Sequence, residues 1–119
     1  MSLLAYKVLH LLGIFLLFAA LGVLTLRAAR GEGRSKLASA THGVALLIIL
    51  VGGFGAMARL GLAHDWRFPL WIWLKLAIWL ILGAAPVLAR RMPRLATLWW
   101  WLFPLLGATS AYLALYKPV

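Results

Sequence analysis

Cysteine is missing altogether and acidic residues nearly so: Glu32 and Asp65 are the only two in 119 residues. Without a thiol there is no disulfide, thiolate nucleophile, zinc ribbon or iron–sulfur cluster. Both acids fall between long apolar runs, so no carboxylate pair stands inside such a run for acid–base work. The serines and threonines form no serine-hydrolase motif, and the dyad of His64 and Asp65 reads as an exposed loop pair.

What is abundant is apolar surface. Hydrophobic residues make up 66% of the chain and its mean hydropathy is +1.00, against an apolar share of roughly 45–50% in soluble domains. An integral membrane protein follows. A spanning helix needs about 20 residues to cross a hydrocarbon core about 30 Å thick, so four spans fill one domain, residues 1–119, and leave little for loops. The formal charge is +10. In a soluble protein that would suggest nucleic acid; here most of it sits in short turns, where it sets orientation and meets anionic lipid. Nucleic acid is therefore not an expected partner.

The first run, Leu3 to Leu26, closes at "RAARGEGRSK", Arg27 to Lys36. A cleavable signal is the competing reading, but the core is long and arginines stand where small residues should mark the cut. The second run, Leu37 to about residue 58, ends at Arg59 and the polar "GLAHDWR". The third opens near Pro69, since proline suits a first helical turn, and runs to Ala89. After "RRMPR" the fourth covers Leu95 to Tyr116, with Pro104 a candidate kink. The expected fold is an all-α membrane protein, an antiparallel four-transmembrane-helix bundle over about 3–26, 37–58, 69–89 and 95–116.

Turns one and three hold Arg27, Arg30, Arg34, Lys36, Arg90, Arg91 and Arg94, against Arg59, Arg67 and Lys117 opposite. Positive charge stays inside, which places both termini outside the cytoplasm. Trp66, Trp71 and Trp73 then read as an outer aromatic belt, and Trp99, Trp100 and Trp101 as an inner one.

Steps of three and four put His10, Gly13, Leu17, Ala20, Leu24 and Arg27 on one face of the first helix. His42, Ala45, Ile49, Gly52, Ala56 and Arg59 share a face of the second, and Pro104, Gly107, Ala111 and Ala114 form a comparable line on the fourth. Small residues allow close helix approach, and polar groups turn from lipid, so these stripes are expected to face the interior.

A rise of about 1.5 Å per residue separates the polar groups by depth. Lys7, His10, Lys75 and Arg59, with Tyr112 in reach, fall near the outer edge; His42 falls near the inner one. The two histidines are therefore too far apart to share one metal, which disfavours a bis-histidine haem. The outer four can form a basic pocket without an intramembrane carboxylate to neutralise it. A charge near the bilayer centre costs at least about 2.5 kcal/mol, so the pocket suits an anionic or electron-rich guest: haem with its propionates, another tetrapyrrole, a quinone or a lipid phosphate. The plainer reading is that Lys7 and Lys75 snorkel to the headgroups and His10 bonds a backbone carbonyl.

Three segments carry a family likeness: "YKVLHLLGIFLLFAALG", "ATHGVALLIILVGGFG" and "WIWLKLAIWLILG". Together they resemble the four-helix HemJ-type protoporphyrinogen oxidases and their shorter relatives described as invasion gene expression up-regulators. The resemblance covers most of the first three helices. It implies that His10, in its K-x-x-H setting, binds haem b and that Lys75, in W-x-x-K, is its functional partner. The short connection between helices one and two, His42 and "LGAAPVLARR" match the shorter relatives better.

Two functions are carried forward: a small haem- or tetrapyrrole-handling protein of a bacterial inner membrane, with His10 as axial ligand and Lys75, Lys7 or Arg59 on carboxylates, or an accessory subunit, alone or as a homo-oligomer, of a larger respiratory or photosynthetic complex. A transporter or channel is disfavoured by the missing intramembrane acid.

Overall fold

A computed structural model describes residues 2–61 and 69–116. It contains four long helices, α1 (Leu3–Ala29), α2 (Lys36–Arg59), α3 (Leu70–Arg91) and α4 (Ala96–Tyr116), the last entered through a 3-10 turn, Pro93–Leu95. No strand occurs among the described residues. With 27, 24, 22 and 21 residues, the helices are about 32–40 Å long, enough to cross a core of about 30 Å. Each is long and apolar enough to span a membrane. His64, Asp65, Trp66, Arg67 and Lys117 lie outside the described residues.

The ends are set by local chemistry. Ser2 accepts from the Ala5 N–H at 3.1 Å and Ser35 from the Ala38 N–H at 3.2 Å, each capping an otherwise orphaned donor. Pro69 precedes α3. Helix α1 overruns its expected end at Leu26 because the chain meets no stop before Gly31, whose φ of 69° is open to glycine at little cost. There the Gly31 N–H reaches the Ala28 carbonyl and the Glu32 N–H the Arg27 carbonyl, a Schellman closure. The Arg27 Nε–H then donates to the Gly33 carbonyl at 2.7 Å, lashing the turn to the helix it follows.

Helices α1 and α2 share the most extensive interface, and the predicted stripes make it. Gly13, Leu17, Ala20 and Leu24 are buried on α1, His42, Ala45 and Gly52 on α2. A Cβ on Gly52 would stand 2.7 Å from the His10 backbone nitrogen, and one on Gly13 2.9 Å from the Ile49 nitrogen. Any larger residue would force the two backbones apart.

The fourth helix departs from expectation. Pro104 and Ala111 are exposed and Gly107 and Ala114 only half-buried, while Trp99, Phe103 and Leu113 are the residues turned inward. Large side chains fill this seam, and Gly107 makes room for the Phe18 ring. The aromatic belts are likewise thinned: Trp71 and Trp99 are core residues at 8% exposure each. Trp73, Trp100 and Trp101 remain exposed. Phe15, Leu47, Leu80 and Leu105 also point outward, as expected where lipid is the solvent.

Candidate functional site

The His10 ring meets α2 where that helix has only glycine to offer. Its Nδ1 lies 2.8 Å from the Ile49 carbonyl oxygen. A carbonyl can only accept, so Nδ1 carries the proton and Nε2 keeps a lone pair. Gly53 flanks the ring; a Cβ there would come within 3.3 Å of Cε1. The residue is half-buried, and its orientation is fixed by the bond to Ile49.

Lys75 enters from α3. It too is half-buried. Depth reasoning paired these residues; the structure places one on α1 and the other on α3, both half-buried. Lys7 and Arg59 are exposed instead, and Arg59 is itself engaged in an interaction. They belong to the same end, since the Tyr6 ring lies against Gly55 and so joins the start of α1 to the last turns of α2. Tyr112 is exposed and stacks on Tyr116 at 4.5 Å between centroids. The described group is thus a half-buried histidine and lysine, with two further cations on the outside.

His42 has a different task, which sequence reasoning missed. Pro86 stands inside α3 and has no N–H, so the carbonyl four residues back, that of Leu82, loses its helical donor. The buried His42 supplies one: its Nε2 lies 3.0 Å from the Leu82 oxygen. A second bond crosses the same seam the other way, from Trp79 Nε1–H to the Leu46 carbonyl at 3.1 Å. The signal was present in "LILGAAP", where a proline in a helical run marks an orphaned carbonyl four positions earlier. Along α2, His42 precedes Ile49 and Gly53 by seven and eleven residues, or about 10–16 Å, so the two histidines serve separate sites.

Two cavities lie toward the other end of the bundle. A small one is bordered by Arg27, Arg34, Arg90 and Pro86. A larger one, about 240 Å³, opens between α1 and α4. Among the described residues no three histidine or acidic side chains gather to hold an ion, so His10 would act as a metal ligand alone. An imidazole whose Nδ1–H is held by a carbonyl, leaving Nε2 free, is the donor arrangement that a haem iron takes. In that respect the residues fit the group. No family model, curated protein or solved structure matches the chain.

Proposed function

We propose that this chain is a small membrane protein that binds haem or a related tetrapyrrole, with His10 Nε2 as the axial ligand. The observation that carries the reading is the His10–Ile49 bond, which selects the tautomer and aims the free nitrogen away from α2. Lys75 supports it as a half-buried cation able to meet a propionate or another carboxylate, while Lys7 and Arg59 supply charge at the rim. Haem b, when bound, would bring one-electron redox chemistry; the chain's own residues orient, hold charge and exclude water.

The likeness of the first three helices to the HemJ-type family supports the same pair. We also infer an antiparallel bundle. The contact pairs support it: Tyr6 with Gly55, His10 with Gly52 and Gly13 with Ile49 run in opposite senses along α1 and α2. With positive charge inside, the turns between α1 and α2 and between α3 and α4 face the cytoplasm of a bacterial inner membrane, and both termini face away.

The test is the absorption spectrum of gently solubilised protein, oxidised and then dithionite-reduced, beside His10→Ala and His42→Ala. A Soret band and sharp reduced bands are expected in the wild type and in His42→Ala, and not in His10→Ala. A flat wild-type spectrum after haem-supplemented expression would reject the reading. A second reading, an accessory subunit of a larger respiratory or photosynthetic complex, is favoured by the short described turns and the apolar residues exposed on every helix; co-purification with such an assembly is its signature.

A further inference from the structure

The aromatic cavity between α1 and α4 has no part in the His10 site. Its walls are apolar: Phe18, Leu21 and Gly22 from α1, and Trp100, Phe103 and Pro104 from α4. At about 240 Å³ it exceeds the roughly 150 Å³ that accepts benzene in an apolar protein interior. Trp100 and Trp101 are exposed beside it, so it opens sideways, toward lipid. Its occupant is therefore apolar and arrives from the bilayer.

Charge says what the rest of that occupant carries. The cavity reaches Thr25 and Trp99; Arg27 follows the first by two residues, and Arg91 and Arg94 precede the second by eight and five. The turns at this end hold seven cations, Arg27, Arg30, Arg34, Lys36, Arg90, Arg91 and Arg94, against one acid, Glu32. That acid pairs with Arg27 at 3.8 Å. Arg91 and Arg94 stand exposed on the segment that leads into the wall of the cavity. The groove's own lining carries no charge; an apolar slot whose wall follows a basic turn in the chain is complementary to a long chain ending in an anion.

We propose that this groove is a site for one anionic phospholipid, its acyl chain against Phe18, Trp100 and Phe103 and its phosphate on the arginines of the turn between α3 and α4. The site is independent of haem. It ties α4, whose contacts with α1 are looser than those of α2, to the leaflet that the basic turns face. The same phosphate chemistry could come from free inorganic phosphate, which would leave the groove empty.

The experiment is native mass spectrometry of the full chain released from detergent with equimolar phosphatidylglycerol and phosphatidylcholine of identical acyl chains. One phosphatidylglycerol should be retained in preference to phosphatidylcholine. Gly22→Leu should abolish retention by filling the groove: a Cβ at this glycine meets only the Trp100 ring, at 3.9 Å, so the helix seam is spared. Arg91→Gln and Arg94→Gln should each lower the preference roughly fivefold. Circular dichroism and thermal melting check that each variant is folded. Equal retention of both lipids by the wild type would overturn the proposal, as would a folded Gly22→Leu that still holds phosphatidylglycerol. Competition by millimolar inorganic phosphate that matches the effect of the lipid would show an anion site only and would likewise overturn it.

Discussion

The two described histidines make the same bond for opposite reasons. Each donates a ring N–H to a backbone carbonyl on the next helix, His10 to Ile49 on α2 and His42 to Leu82 on α3. The Ile49 carbonyl sits in continuous helix and has the Gly53 N–H as its ordinary partner, so His10 adds a second donor to an acceptor already served. The Leu82 carbonyl faces Pro86 and has none. His42 therefore repairs a defect in the bundle, whereas His10 is held in place by a bond that the bundle does not need. A polar side chain kept near a bilayer without a structural debt is the better functional candidate, and this separates the two residues more sharply than depth alone.

The largest effect should come from closing the seam on which His10 depends. Gly52→Val places side-chain carbon against the His10 backbone and should destabilise the bundle by about 2–3 kcal/mol, read as a lower midpoint in detergent unfolding. Gly43, where an added Cβ meets nothing within 4 Å, is the control; Gly43→Ala should change stability by less than about 1 kcal/mol, toward greater stability. If both variants behaved alike, the close approach of α1 and α2 would not be what stabilises this end.

Next in size is His42→Ala, expected to cost about 1–2 kcal/mol because it leaves the Leu82 carbonyl unsatisfied in a buried seam. The sharper measurement is a double-mutant cycle with Pro86→Ala. Alanine restores an N–H at position 86, so His42→Ala should cost markedly less in that background, with a coupling of at least about 0.5 kcal/mol. A coupling of zero would refute the repair.

The smallest effect on stability belongs to His10→Ala, about 0.6 kcal/mol, the average for a hydrogen bond between membrane helices. The contrast to be broken is a small stability change at position 10 joined to complete loss of bound pigment, against the reverse at position 42.

Much of the fold could be read directly. Long apolar runs separated by arginine and glycine gave four helices whose ends shift by no more than three residues, and the stripes of α1 and α2 turned inward, apart from the exposed Arg59 at the end of the second, because glycine and alanine at steps of three and four make the closest seam. The fourth stripe did not, since Trp99 and Phe103 bury more surface than Pro104 or Ala111 can. Periodicity reports which residues share a face but not which face wins. His10 and Lys75 could be found because charge in an apolar run is conspicuous. The role of His42 was hidden because its partner is a backbone carbonyl, written in the sequence only as the proline four residues later.

That pairing also has a place in time. Helices α1 and α2, joined by a turn closed on itself through Gly31 and Arg27, are synthesised before Leu82 and Pro86 exist, and chains fold from the N-terminal side as they emerge. Until α3 arrives, His42 lacks the acceptor it uses in the folded bundle. The third helix thus brings an acceptor that its own sequence cannot satisfy. Each helix supplies the group that the other lacks.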